Sequence, residues 1–328
     1  MIDIESSEIM VSIICITYNH EKYIRDALEG FINQKTNFRF EVVIHDDAST
    51  DGTAKIIKEY EQKYPDIIRP IYQTENRYSQ GKNVMRYTVP FARGKYIATC
   101  EGDDYWTDTN KLQKQVDFLE NNLDYVACIH NTKIEDYINP NGQERYINSS
   151  KDAYDVTFYD VVRNGSGTVY QWSSLIYRRQ YFLIAYSDLR PAYFNKAKGF
   201  GDWVLIIYLS LEGKIKYMPD VMSNYRFGVE GSYTLRNISR EKQIEQSTIL
   251  IEFLNAVDEY TNFQYSDVIQ SAQRFYEFHR ALSMKDYSVA RKKDYKELWL
   301  AINWKGRLIF FIECKLPRIY KIYRKIKD

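Results

Sequence analysis

The chain reads as an α/β protein, with a doubly wound, mostly parallel sheet flanked by helices and a helical C-terminal region. Three features lead to this reading. Short continuous runs of β-branched and other apolar residues, such as Val11 to Ile16 and Phe40 to Ile44, have the pattern of strands buried on both faces, as in a parallel sheet. Each run is followed by a short polar turn and then by apolar residues at helical spacing, so strand and helix alternate. From Ser239 onward only helical spacing remains.

The first strand ends at Thr17-Tyr18-Asn19, and Tyr23, Ile24, Ala27, Leu28 and Phe31 mark the helix after it. The second strand, Phe40 to Ile44, leads through the turn Asp46 to Thr53 into a helix carried by Ala54, Ile56, Ile57 and Tyr60. Ile67 to Tyr72 reads as a third strand, placed near an edge because Pro70 cannot donate to a ladder. A polar loop, Gln73 to Asn83, carries Arg77, Gly81 and Lys82, and a short helix over Val84, Met85, Thr88 and Phe91 leads to the strand Tyr96 to Cys100. Leu112, Val116 and Leu119 mark a further helix, and Tyr125 to Ile129 a further strand. Residues 131–168 read as a long polar loop region, Val169 to Tyr177 as a strand, and Trp203 to Leu211 as a buried helix. Ile244, Ile251 and Leu254, then Val268, Ala272, Phe275 and Leu282, carry the C-terminal helices, which leave a homo-oligomer contact open.

The totals set limits. A length of 328 residues with 45% hydrophobic and 27% charged residues suits a globular chain with a sizeable core. A net charge of +1 gives no global attraction for nucleic acid. The cysteines at 15, 100, 128 and 314 are too scattered for a zinc pattern or a disulfide framework and read as small buried hydrophobes in a reduced cytosol. The start, MIDIESSEIM, lacks the basic and apolar regions of a signal peptide, and no run approaches the roughly 20 apolar residues of a membrane span. A cytoplasmic protein is expected. The stretch Trp304 to Asp328 carries Lys305, Arg307, Lys315, Arg318, Lys321, Arg324, Lys325 and Lys327 among aromatic and aliphatic residues, with only Glu313 and Asp328 opposing. It reads either as an anchor at the inner face of the membrane or as a helix packed on the body with a basic outer face.

Chemistry concentrates on Glu101-Gly102-Asp103-Asp104, three carboxylates in four residues at the end of a strand. Carboxylates this close repel unless a cation lies between them, and hard divalent cations prefer such oxygen ligands, although Asp and Gly are also ordinary turn-formers. In a doubly wound sheet, ligands bind beyond the carboxyl ends of the strands. Here those ends carry Thr17-Tyr18-Asn19, Asp46-Asp47 and the acidic turn, so three polar clusters converge. Asp202, ahead of the buried helix, is either a helix cap or a site residue.

Three stretches together, Val11 to Asn19, Glu41 to Thr53 and Ala92 to Asp104, resemble the family 2 glycosyltransferases of GT-A fold. The resemblance is firm over residues 10–107 and traceable to about 235. It implies an inverting enzyme that uses a UDP- or dTDP-sugar. Residues 1–105 would form the nucleotide-sugar half, 106–238 the acceptor half, and 239–328 a helical region outside the resemblance. By position, Thr17, Tyr18 and Asn19 would line the nucleotide pocket and Asp47 would accept the imide N–H of uracil. Arg77, Lys82 and Arg86 would approach the diphosphate of the nucleotide-sugar, although the family's usual Asn near Arg86 is missing. Glu101, Asp103 and Asp104 match the acidic metal motif, in which Asp104 would be the best candidate for the direct ligand of Mn²⁺ or Mg²⁺ and Asp103 would approach either the ribose or the metal. Asp202 aligns with the general base. In Asn224-Tyr225-Arg226-Phe227-Gly228, Gly228 replaces the His of many relatives, and Arg226 remains for the phosphates. The implied acceptor is a glycan or lipid-linked glycan of bacterial surface assembly. Two other readings stay open. A sugar nucleotidyltransferase would want a Gly-rich loop, which Thr17 to Glu21 does not offer, and an inactive scaffold would not need four retained aspartates.

Overall fold

The protein is described here by a computed structural model covering residues 8–165, 169–197, 199–230, 232, 235 and 239–316, without the side chains of Asn164 and Cys314. The expected basic stretch beyond Leu316 therefore lies outside the described residues. The chain divides into two compact units, the first formed by Met1–Pro191 with Phe200–Val229 and the second by Ala192–Gly199 with Glu230–Asp328.

The first unit is built on one mixed sheet. Strands β1 (Val11–Thr17), β2 (Phe40–Asp46), β3 (Ile68–Tyr72) and β4 (Tyr96–Thr99) are parallel, with helices α1 (Ile24–Ile32) and α2 (Thr53–Lys63) in the crossovers. The order β3-β2-β1-β4 puts β3 at the edge, where Pro70 is tolerated. The apolar runs close the core on both faces. Val11, Ile13 and Cys15 of β1 and Val42 and Ile44 of β2 pack with Ile24, Leu28 and Phe31 of α1 and with Ile57 of α2.

Register at the amino ends of these strands is fixed by one buried carboxylate. Glu41 lies opposite Ser12, accepts from the Ser12 hydroxyl at 2.7 Å and the Arg93 amide at 2.9 Å, and pairs with the guanidinium groups of Arg93 and Arg69. Ser12 Oγ in turn accepts from Gly94 N at 2.8 Å. One satisfied network thus ties β1, β2, β3 and the approach to β4 together, leaving their opposite ends to carry function.

The sheet continues as β4-β9-β6-β10-β5 through β5 (Tyr105–Trp106), β6 (Tyr125–Asp136), β9 (Ile176–Arg178) and β10 (Lys214–Phe227). β9 runs antiparallel to both β4 and β6, and β10 runs parallel to β6. Here the structure departs from several expectations. Residues 131–168 are not one loop: β6 runs on to Asp136, short strands β7 (Arg145–Tyr146) and β8 (Tyr154–Val156) follow, and helix α4 (Phe158–Asn164) starts from a Thr157 capping box. The two short strands pair edge to edge with β6 and β10, and β7 is exposed, which accounts for its polar residues. Val169 to Tyr177 is not a strand throughout; Trp172–Ser174 forms a 3₁₀ turn and only Ile176–Arg178 pairs. The 14-residue strand β10 escaped the sequence reading because a register shift around Met218 and Val221 breaks its alternation. Helices α3 (Lys111–Asn121), α5 (Arg179–Ala185) and α6 (Gly201–Glu212) complete the unit, and α6 is buried from Trp203 through Leu209.

In the second unit, helices Arg240–Tyr260 and Ser266–Ser283 pack together and shorter helices follow, ending with Trp304–Lys315. That last helix docks by Phe310 against Tyr287 (ring centroids 5.3 Å apart) and by buried Glu313, which meets Arg240, Lys285 and the Tyr287 hydroxyl. Its other face leaves Trp304, Leu308 and Phe311 exposed. No helix among the described residues is long and apolar enough to cross a membrane.

Candidate active site

The carboxyl ends of β1, β2 and β4 meet as expected, and hydrogen bonds between their loops build the site. Asn19, at φ 56°, donates its amide to Ser49 Oγ at 2.9 Å and accepts from Thr50 N at 2.7 Å, pinning the end of β1 to the turn after β2. Ala48 stands at φ 62°, a conformation that costs an L-residue about 1–2 kcal/mol and that turns the chain sharply after Asp47. Asp47 is buried, and its two oxygens accept from Arg77 N at 2.8 Å and Tyr78 N at 2.9 Å. Each carboxylate oxygen can accept twice, so acceptor capacity remains. Tyr18 is exposed, while Thr17 is buried with an unpartnered hydroxyl.

The acidic turn sits directly on β1. Cys100 N and Gly102 N donate to the carbonyls of Ile14 and Ile16, at 3.2 and 3.0 Å. Gly102 passes so close to β1 that a Cβ there would lie 2.7 Å from Thr17 Oγ1. The three carboxylates then diverge. Glu101 is exposed, yet partial desolvation, with the charges of Asp103 and Asp202, pushes its carboxyl up to about 8. Asp103 keeps one buried oxygen without a partner and brings the other to 3.8 Å from His20 Nε2. Asp104 is turned inward, where Oδ1 accepts from Arg226 N at 3.0 Å and Oδ2 from Gln171 Nε2 at 3.2 Å. Burial holds Asp104 well above the usual carboxylate range, against the pull of the Arg226 amide.

These directions bear on the expected metal. Among the described residues no three His, Cys, Asp or Glu side chains form a ready metal cage. Glu101, Asp103 and Asp104 are therefore no closed three-ligand set, because Asp104 faces the Arg226 amide and Gln171 while Asp103 faces His20. The unpartnered Asp103 oxygen and the mutual repulsion of the carboxylates do fit a divalent cation of the Mg²⁺ kind, which uses one or two carboxylates and leaves its other positions to water and substrate phosphates.

Asp202 lies in the first turn of α6, whose cap position is Phe200. Its carboxyl is raised by burial, which outweighs the amides of Trp203 and Asp202 itself, and its field reaches Glu101. Tyr170 Oη donates to the Asp202 carbonyl at 2.6 Å and fixes the start of the helix. Lys82 is exposed; Arg86 is tied to the Tyr186 carbonyl (3.1 Å) and to Asp188 (2.7 Å). The Arg226 guanidinium donates to the Asp103 carbonyl at 2.8 Å and pairs with Asp26. The sequence reading passed over His20, Gln171 and Tyr170. His20 directly follows Asn19 in the first site loop, so its signal was available, whereas Gln171 and Tyr170 lay in a stretch read as strand.

Three buried polar atoms without hydrogen-bond partners, Thr17 Oγ1, His20 Nδ1 and Asp103 Oδ1, lie in or beside this turn. Since buried polar groups are normally paired, their gathering marks a ligand site.

Comparison with known proteins identifies the family and the fold. The family model for glycosyl transferase family 2 matches residues 12–183. An uncharacterized protein of Mycobacterium tuberculosis is 37% identical over 241 residues, 71% of this chain and 63% of its own length, so the match spans less than two thirds of that relative. The Escherichia coli protein WfaP, named a UDP-Glc:alpha-D-GlcNAc-diphosphoundecaprenol beta-1,3-glucosyltransferase, is 35% identical over 112 residues, 34% of this chain and 41% of its own. Among solved structures, the mannosyltransferase PcManGT from Pyrobaculum calidifontis, in complex with GDP-Man and Mn²⁺, superposes with a TM-score of 0.56 at 16% identity, covering 98% of this chain and 87% of its own. With the acidic turn, Asp47 and Asp202 gathered at the carboxyl ends of a parallel-dominated sheet, the chain belongs to the family 2 glycosyltransferases and has their GT-A fold.

Proposed function

We propose that the protein transfers a sugar, with inversion, from a UDP- or dTDP-sugar to a hydroxyl of a glycan acceptor in bacterial surface polysaccharide assembly. The observation that carries this is the convergence of the strand ends that bear Asp47 and the acidic turn, tied to β1 through Asp47 N to the Thr17 carbonyl and Gly102 N to the Ile16 carbonyl, with Asp202 in electrostatic reach of Glu101 and unpartnered buried polar atoms on Thr17 and Asp103. Asp47 accepts the imide N–H of the base with its remaining lone pairs, which favours uracil or thymine over cytosine, whose N3 is an acceptor. Thr17, Tyr18 and Asn19 line the nucleotide side, residues 1–105 serve the donor and 106–238 the acceptor. Lys82 and Arg86 stand on the loop and 3₁₀ turn nearest the diphosphate in this reading.

Asp103 and Asp104, with Glu101 near them, are the residues that would hold Mn²⁺ or Mg²⁺. Such a cation would supply positive charge to offset the negative charge that develops on the departing diphosphate. Asp202 takes the proton of the acceptor hydroxyl. The freed oxygen bonds to the anomeric carbon as the bond to the diphosphate breaks on the opposite face. Burial suits Asp202 to this, since a raised carboxyl is the stronger base; activity is lost on the acid side as Asp202 gains its proton, above the range of an ordinary Asp. The relative WfaP is named for a UDP-sugar donor and a lipid-linked acceptor, and PcManGT was solved with Mn²⁺, which supports both parts of the reading. The exposed Trp304, Leu308 and Phe311, with Lys305 and Lys315 on the same helix, suit contact with an anionic membrane surface bearing such an acceptor.

The test is Asp202→Asn, assayed for product from a panel of UDP-sugars. UDP binding should stay near normal while turnover falls by about 10²- to 10⁴-fold, the usual contribution of a general base. Full turnover in the variant removes Asp202 from the chemistry, and turnover indifferent to EDTA removes the metal.

A further inference from the structure

We infer that Arg226 is a positioning residue that holds the acidic turn in its metal-ready shape from behind, and that it is not a contact to the donor's phosphates. The inference rests on the proposed function and deepens it. Arg226 is 5% exposed. Its guanidinium lies 4.4 Å from the ring centroid of Tyr105 and 5.2 Å from that of Tyr23, between two aromatic faces. Nη1 donates to the Asp103 carbonyl at 2.8 Å, Nη2 pairs with Asp26 of α1, and Nε stands 3.7 Å from Glu135 of β6. Its own amide donates to Asp104 Oδ1. One residue therefore touches the turn twice, through the Asp103 main chain and the Asp104 carboxylate.

Those contacts are themselves supported. Arg226 lies opposite Glu135 in the β10–β6 ladder, and Asn224 lies opposite Tyr105 in the β10–β5 ladder. Asn224 Nδ2 donates to the Tyr105 hydroxyl at 2.7 Å and to Glu135 at 2.8 Å. On the other side of Asp104, Gln171 fixes the second oxygen, and its own Oε1 accepts from Trp172 N. The guanidinium is thus spoken for by a carbonyl, two carboxylates and two rings. A phosphate would have to displace Asp26, whereas a fixed cation behind the three acids of the turn offsets the repulsion that would splay it. Because Nη1 holds the Asp103 main chain, the Asp103 carboxylate stays available for a ligand.

The experiment uses the full chain and measures UDP binding by calorimetry with EDTA and across a Mn²⁺ titration, alongside amide exchange of residues 101–106. Arg226→Gln should raise the Mn²⁺ concentration for half-maximal binding by about 10- to 100-fold, the range for residues that orient metal ligands. UDP affinity in EDTA should stay within about twofold of wild type, less than the loss of even one weak hydrogen bond. Exchange at 101–106 should quicken, and Arg226→Lys, which keeps the charge but loses the fork, should recover part of the Mn²⁺ response. Weaker UDP binding in EDTA with an unchanged Mn²⁺ response makes Arg226 a phosphate ligand and overturns the inference. If Arg226→Gln does not fold, Asp26→Asn at the exposed end of the pair decides: wild-type exchange at 101–106 overturns the inference, quicker exchange supports it. Should wild-type binding ignore Mn²⁺, the metal reading fails alone, and the exchange data still judge Arg226.

Discussion

Lys111 offers a quantitative test of the core beneath the site. It is fully buried at the start of α3, with Nζ 4.0 Å from the centroid of the Trp106 ring and donating to Gln115 Oε1 at 2.8 Å. Desolvation drives its ammonium from 10.5 down to about 7, against a small opposing pull from Cys100 and Cys128. Between these two values the unfolded chain holds the proton and the native one releases it, so this residue's contribution to stability rises with pH through that window and its cost is full below pH 7. The whole shift corresponds to about 5 kcal/mol, net of the contacts that favour the charged form. Lys111→Met should therefore stabilise the protein at pH 6, by less than about 5 kcal/mol because it also gives up the hydrogen bond to Gln115. Its advantage over wild type should then shrink by about 1.4 kcal/mol between pH 6 and pH 8, because the native lysine titrates in that interval. Taking the difference between the two proteins in urea unfolding cancels every other group, including Glu101 and Asp202, whose raised values act in the opposite direction. An advantage that is constant with pH would refute the deprotonated lysine.

Gly102→Ala places a methyl group 2.7 Å from Thr17 Oγ1 and 2.9 Å from Ile24 Cδ1, both in buried side chains. It should cost about 1–3 kcal/mol in thermal or urea melts and lower donor affinity more than the melt explains, since the turn itself must move. Unchanged affinity would show that the turn tolerates the shift. Replacing Trp304, Leu308 and Phe311 together by Ser should release the protein from anionic vesicles in co-sedimentation while a water-soluble acceptor is still glycosylated, and retained vesicle binding would remove this face from the membrane reading. Substitution suits this test better than deletion of 304–328, which would also strip Glu313 from Arg240, Lys285 and Tyr287.

The sequence by itself determined the parallel half of the sheet, because strands buried on both faces must be continuously apolar, as Val11 to Ile16 and Phe40 to Ile44 are. It determined the place of the site too, since Thr17 to Asn19, Asp47 and Glu101 to Asp104 follow those strands directly and strand ends in such a sheet share one side. The resemblance added roles that spacing alone does not carry, above all for Asp202. Tertiary structure decided the rest. β10 could not be read from its own residues, because a strand with a shifted register loses its alternation and is held by β6 beside it. The direction of each acid was equally hidden: whether Asp104 faces water or the Arg226 amide depends on a strand more than 100 residues away, and no local pattern encodes that distance. The same holds for the cations. Arg226 looks like a free charge in the sequence, yet the folded chain buries it and pairs it with Asp26, because a charge drawn toward the interior must find its partner there, whereas Arg86 meets Asp188 at the surface.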